Sequence, residues 1–281
     1  MNKNHLKKQG KNIPGYFITG VWTLFGLGIF TYVVAASFST TKDIFQGTVF
    51  QFINGFHLEN YVIAWNSQKL YLCFLNSIFY AVVAVCCGLL MAVPAAYVLS
   101  RYEFKGNKLI KSALIVAQSI PSILLILPLY VLFIKWDIKG RLALCVVYSC
   151  MRVPFFTTYL LNFFETISKT YEEAAAVDGC PNYKIFWHIM LPMVKPAIST
   201  VALFGFLSVL NEYFISLLLV PTGDGMTLGV GLMRTIKALQ YTGNYPAIFA
   251  AVAIVAFPSI IIFAIFSRKI MYGGNDGGIK G

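Results

Sequence analysis

Six stretches of the chain stay apolar long enough to cross a hydrocarbon layer, and short polar segments separate them. They run Tyr16–Phe38, Leu72–Leu99, Ser112–Ile134, Leu142–Phe164, Ala197–Val220 and Tyr245–Ser267. A helix rises about 1.5 Å per residue, so about 20 apolar residues cover a hydrocarbon core. The runs are continuous rather than alternating, which predicts helices and not a barrel of strands. The expected fold is an all-α polytopic membrane protein with six transmembrane helices. Residues 1–15 form a polar N-terminal tail, 16–71 the first span and the segment after it, 72–267 a core of five spans, and 268–281 a C-terminal tail.

Composition agrees with the pattern. The chain is 58% hydrophobic and 12% charged, where a soluble domain carries roughly 25% charged residues. The net charge of +11 does not point to nucleic acid, because the basic residues stand in short gaps between apolar runs and line no amphipathic face. Lys and Arg fall about twice as often on one set of loops as on the other, which predicts that both termini and the loop around 165–196 are cytoplasmic. The cysteines at 73, 86, 87, 145, 150 and 180 form no CxxC pair and read as small apolar side chains. The first apolar run is too long for a cleavable signal, and none is expected.

The segment from about Glu165 to Pro196 is too long and too patterned for a simple connection. Thr170 followed by Glu173 fits a capping box, and Glu172 and Glu173 suit the positive end of a helix dipole. Ala174, Ala175 and Ala176 propagate the helix, and Gly179 can end it in a left-handed conformation. Pro181 can open a second helix over Asn182–Met190. Pro192 disfavours a helical Leu191 and predicts the end of that helix. Ile185, Phe186 and Ile189 give the second helix an apolar stripe. On physical grounds alone this could equally be an interfacial amphipathic elbow with no partner.

Glu173-Ala174-Ala175, then Gly179, then Ile189-Met190-Leu191-Pro192 resembles the EAA motif of membrane subunits in binding-protein-dependent ATP-binding-cassette importers. Further features are similar to the maltose-permease-like, carbohydrate-importing branch. They are Asn76-Ser77 at the start of the second span, the run from Ala95 to Tyr102 with Lys105-Gly106 leaving it, Asn211-Glu212 in the fifth, Leu228–Leu232, and the ending Gly277-Gly278-Ile279-Lys280-Gly281. Ser168 stands where the family usually has proline, Thr170-Tyr171 replaces an acidic-Leu pair, and Leu210 stands where an aromatic often precedes Asn-Glu.

The resemblance implies that the loop docks as a coupling helix on a cytoplasmic ATPase. Glu173, with Glu172 beside it, would make an ionic contact. Ala174 and Ala175 would form a close-packing surface, Gly179 the turn, and Ile189, Leu191 and Pro192 the return. It implies a second, non-identical permease, two ATPase subunits, an extracytoplasmic solute-binding protein and a bacterial or archaeal cytoplasmic membrane. It also implies that the tail, through Gly278 and Lys280, enters the ATPase dimer. The expected solute is a carbohydrate, with an oligosaccharide preferred; the alternatives are a non-sugar solute or an ion-coupled secondary carrier.

No GxxxxGK[ST], HExxH or GxSxG is present, and His5, His57 and His188 are isolated. The chain is therefore expected to be no enzyme and to bind no cofactor or metal, with ATP and magnesium held by partner subunits. Arg152 and Glu212 are the costliest groups within the spans, with Asn76, Gln118 and Asn211 as uncharged candidates for a translocation path. Counted along continuous helices from the nearer end, Arg152 and Glu212 lie roughly 15 and 12 Å deep. They are expected to face the protein interior. There they either pair directly or line the path, or else they hold separate polar partners.

Overall fold

The computed structural model describes the backbone of residues 13–273 and side chains from 15 to 265. The tail positions Gly278 and Lys280 lie outside the described residues. The elements are α1 (Ile13–Ser37), α2 (Thr41–Gln46), a 3₁₀ turn Val49–Gln51, α3 (Glu59–Asn66), a 3₁₀ turn Ser67–Lys69 and α4 (Leu70–Arg101). Next come α5 (Asn107–Ser119), α6 (Ser122–Lys135), α7 (Gly140–Thr166), α8 (Thr170–Val177) and α9 (Asn182–Ile185). A π turn, Phe186–Met190, leads into α10 (Leu191–Leu210), followed by α11 (Phe214–Leu219), α12 (Leu228–Tyr241) and α13 (Tyr245–Gly273).

Among the described residues five helices are long and apolar enough to cross a membrane, and up to six if the bent pair α5 and α6 is one span. The fold is thus an all-α polytopic helical bundle of membrane character. α1, α4, α7 and α13 match the expected first, second, fourth and sixth runs within a few residues.

The third run is not one helix. α5 and α6 meet at 100° around Ile120-Pro121. Pro121 pushes Ile120 out of the helical region, to φ −80 and ψ 118, because its ring would clash with a helical predecessor. The expected continuous span over Ser112–Ile134 is corrected accordingly. The fifth run is also broken. α10 stops at Leu210, the chain turns through Asn211–Tyr213, and α11 begins at Phe214. Depth along an unbroken helix therefore does not apply to Glu212.

The described chain divides into two compact units, residues 13–70 with 232–256, and 71–231 with 257–273. In the first unit Ala35, Ala36 and Val49 form a small core with Ile44, Phe52 and Phe249 against them. Thr40 and Asp43 close a capping box at α2, and Asn54 donates to Asp43 at 2.6 Å. α1 carries large apolar side chains exposed on all sides, among them Tyr16, Trp22 and Leu24. That distribution fits hydrocarbon and not water. The hydroxyls of Thr19, Thr23 and Thr31 donate to carbonyls four residues back, which satisfies them without solvent.

The second unit has two cores. Phe156, Leu160, Phe164, Met190, Val194 and Val201 lie in the first, with Tyr97 and Ile185. Tyr80, Tyr148, Leu144, Phe133 and Ile215 lie in the second. α7 contributes to both and packs against α5, α10 and α11.

Candidate functional site

α8 does not start as its sequence suggests. The expected capping box on Thr170 and Glu173 is absent. Lys169 is already helical, and its carbonyl accepts the amides of Glu172 and Glu173 at 2.9 and 3.0 Å. The Thr170 amide donates to the Ser168 hydroxyl at 3.3 Å, and the two hydroxyls share a hydrogen bond of 2.9 Å. Ser168 supplies the local acceptor two residues early and occupies the group that Thr170 would have used.

The end of α8 follows expectation. Gly179 has φ +75. The Cys180 amide donates to the Ala175 carbonyl at 2.9 Å and the Gly179 amide to the Ala176 carbonyl at 3.0 Å, the paired bonds of a Schellman turn. A Cβ at Gly179 would meet nothing within 4 Å, so the cost of a substitution is purely conformational. Gly179→Val should destabilise the turn by about 1–2 kcal/mol, whereas Gly179→Asn should be nearly neutral because asparagine tolerates this region. In membranes, limited proteolysis should cut the loop about tenfold faster in the valine variant alone. Equal rates in both variants would show that the turn does not depend on positive φ.

Within the motif the side chains diverge. Glu173 and Ala174 are exposed, and Ala175 turns into the core with Tyr97, Phe164 and Ile185. Glu172 is largely covered, 2.9 Å from the Arg101 guanidinium. Past Gly179, Ile185 and Met190 are buried, Ile189 and Leu191 half-buried, and Pro192 exposed.

Pro192 does not end the second helix, which corrects that expectation. The π turn shifts the pattern so that the Leu191 amide reaches the Phe186 carbonyl. The wider turn gives the proline ring room, and the helix continues to Leu210. The loop is therefore continuous with α10, the helix of the fifth apolar run.

The intramembrane candidates fall into separate groups. Glu212 sits in the break before α11. Its carboxyl oxygens accept from the Tyr148 hydroxyl at 2.5 Å and from the amides of Ile215 at 2.8 Å and Ser216 at 3.2 Å. Arg152, one turn along α7 from Tyr148, donates to the Ser208 hydroxyl at 2.7 Å. Arg152 and Glu212 make no direct ion pair, and each has its own partners. Asn211 bonds the Leu207 carbonyl at 2.8 Å and accepts from Ser259 at 3.3 Å. Gln118 donates to Thr158 at 2.9 Å and to the Leu114 carbonyl at 3.1 Å.

Asn76 stands elsewhere, near the start of α4 and so far from the α8 loop. Its amide donates to the carbonyls of Asp224 and Met226 at 2.7 and 2.9 Å. Ser77 accepts the Leu228 amide at 2.7 Å, Tyr80 donates to the Gly225 carbonyl at 2.8 Å, and Arg141 to that of Asp224 at 2.6 Å. Together they hold the loop before α12. Asn76 is thus bound to backbone, in a loop that Thr227 ties at 2.8 Å to Ser216, whose amide donates to Glu212.

Reading the sequence did not single out Tyr148, Ser208, Thr158 or the contact between Arg101 and Glu172. Tyr148 and Arg152 share a helix face at i and i+4, and Ser208 and Glu212 have the same spacing across the end of α10. That spacing was the available clue, but it does not tell which two helices face each other.

The family model described as the inner membrane component of binding-protein-dependent transport systems matches residues 84–270. The diacetylchitobiose uptake system permease protein NgcG of Streptomyces coelicolor is 29% identical over 258 residues, covering 92% of this chain and 85% of that protein. The arabinooligosaccharides transport system permease protein AraQ of Halalkalibacterium halodurans is 30% identical over 228 residues, covering 80% of each. A chain in the crystal structure of a bacterial ABC transporter that imports the acidic polysaccharide alginate has a TM-score of 0.77 at 23% identity, covering 93% of this chain and 97% of that one. That last likeness is one of fold. The family match spans most of the chain and includes the α8 loop, both helix breaks and the polar groups around Arg152. The chain belongs to the binding-protein-dependent transport system inner membrane component family.

Proposed function

We propose that this chain is one permease subunit of an ABC importer for a carbohydrate, with an oligosaccharide as the preferred solute. The observation that carries the reading is the α8 loop. A short helix with exposed Glu173 and Ala174 ends in a left-handed Gly179 and returns through a second helix continuous with α10. Small side chains let such a helix seat deeply in a groove, and a carboxylate fixes its orientation by charge-assisted bonds. Continuity with α10 lets a push on the loop act on a long helix as one body, the kind of motion that alternating access uses. The oligosaccharide names of relatives support the solute class.

In this reading both termini and the loop are cytoplasmic, and the bent α5–α6 pair counts as the third of six spans. A second permease, two ATPase subunits and a solute-binding protein complete the assembly. The ATPases hold ATP and magnesium, and Gly278 and Lys280 of the tail reach them. Asn76, Gln118, Arg152, Asn211 and Glu212 border the path.

Reconstitution of the assembly tests this. Solute-loaded binding protein should stimulate ATP hydrolysis, and Glu173→Ala should lower that stimulation about tenfold, as loss of a charge-assisted contact would. Uptake that proceeds without nucleotide would instead support an ion-coupled carrier.

A further inference from the structure

Arg101 is the last residue of α4, and its guanidinium reaches two points on the chain that enters α8. Nε lies 2.9 Å from Glu172 Oε2, and Nη2 donates to the Ile167 carbonyl at 3.0 Å. These contacts bracket the segment 168–171, the four residues that set the direction in which α8 leaves α7. The two side chains keep only 5% and 15% of their exposure, so water screens the pair little.

The neighbouring ion pair differs in kind. Lys111 meets Glu165 at 2.9 Å, but both remain substantially exposed, at 30% and 46%, and such pairs contribute little. Glu172 and Glu173 are adjacent, yet one is turned into the protein and the other out of it.

We infer that Arg101 is a positioning residue, which fixes the angle of α8 through Glu172 and the Ile167 carbonyl. Glu172 is then an internal strut, and Glu173 alone of the two is free to meet an ATPase. The inference rests on the proposed coupling role of the loop.

The chemistry is specific about substitutions. Removing one member of a covered ion pair strands the other charge, whereas replacing both by apolar groups is far milder to the fold. Lysine at 101 can reach Glu172 but lacks the planar fork that serves two acceptors at once. Both charges must be present for the angle to be held, so loss of either should have the same consequence for coupling.

The test uses the assembled importer with two readouts, the first in lipid nanodiscs and the second in proteoliposomes, which enclose a lumen. One is amide hydrogen exchange across residues 170–178; the other is solute taken up per ATP hydrolysed. Arg101→Met should speed exchange about tenfold and lower uptake per ATP about fivefold. Glu172→Gln should do the same, and adding it to Arg101→Met should cause little further loss of coupling. Arg101→Lys should fall between wild type and Arg101→Met. Where a single variant fails to assemble, the double change Arg101→Met with Glu172→Leu decides, since it should assemble yet couple poorly. Unchanged exchange in Arg101→Met, or normal coupling in the double variant, would overturn the inference. Glu173→Ala, run beside them, judges the coupling role separately. It should weaken ATPase binding without altering exchange in the permeases alone. If it leaves ATPase binding normal, the coupling role falls while the exchange data still decide the strut.

Discussion

Gly205→Leu is expected to remove the folded subunit from the membrane almost completely. Gly205 lies in α10 against the ring of Phe156 from α7. A Cβ at Gly205 would overlap Phe156 Cζ and stand 2.7 Å from its Cε1, with Val85 Cγ2 at 3.4 Å. Phe156 has no exposed surface, and its other edge is already confined. A Cβ at Gly88 in α4 would sit 3.0 Å from Phe156 Cε2. Three helices thus close on one ring because two of them carry no side chain there. In a bilayer this close approach replaces the hydrophobic drive that brings helices together in water.

Overpacking a filled site costs roughly 1–3 kcal/mol even for small additions, so Gly205→Ala should already lower thermal stability by several degrees, and leucine should exceed what relaxation can absorb. Membrane expression and thermal unfolding in detergent measure this. Phe156→Leu should partly rescue Gly205→Ala and leave a small cavity in place of the clash. Gly28→Ala in α1 is the control, because a Cβ there meets nothing within 4 Å. Equal effects at positions 28 and 205 would show that Phe156 is not held between glycines.

How much of this was legible in the sequence depends on the kind of feature. Long helices were, because hydropathy over a window reports the solvent each segment prefers, and α1, α4, α7 and α13 fall within a few residues of their apolar runs. The Gly179 turn was also legible, since glycine is the residue that adopts this conformation most readily. Breaks within apolar runs were not. Pro94, Pro128, Pro154, Pro196 and Pro258 all sit inside continuous helices, while Pro121 stands at a bend of 100°. A proline forces a choice on its predecessor, but neighbouring helices decide whether the freed carbonyl is tolerated in place. At Pro192 the π turn absorbs the ring, and nothing local announces it.

The same limit applies to the candidate site. Residue type marked Arg152 and Glu212 as costly within a span and so as groups needing partners. Their partners come from other elements and from a backbone break: Ser208 on α10, Tyr148 on α7, and two amides of α11. The outcome is the expected alternative of separate partners, reached through a turn that hydropathy reads as part of a helix. Glu172 shows the converse. Its first-turn position predicts a solvent-facing dipole partner, but Arg101, far away in sequence, draws it inward.

Glu212→Leu is expected to be the most damaging single change among the intramembrane polar residues, and Glu212→Gln much less so. Glutamate here is the acceptor for three donors at once, the Tyr148 hydroxyl and the amides of Ile215 and Ser216. It thereby caps α11, whose first amides have no carbonyl partner within the helix. Leucine has nearly the right size and no acceptor, so all three donors lose their partner together. Tyr148 is fully buried, and Ile215 and Ser216 are buried as well, so water cannot replace the lost bonds. At about 1–3 kcal/mol for each stranded donor, the sum exceeds several kcal/mol and would unfold a marginal membrane subunit. Glutamine keeps one acceptor oxygen: at the Oε1 position it holds the Ile215 amide, while its NH2 faces the Ser216 amide and the Tyr148 hydroxyl, so those two contacts are lost or weakened. Tyr148→Phe should therefore cost little in the Gln variant and more in wild type. Arg152→Met tests the remaining possibility, that the two charges act as a pair. Because Arg152 donates to Ser208 and not to Glu212, combining Arg152→Met with Glu212→Gln should sum the separate losses in a double-mutant cycle on thermal stability. Recovery of stability in the double variant would mean that the charges meet in the assembled transporter, and Tyr148 would then not be the principal partner of Glu212.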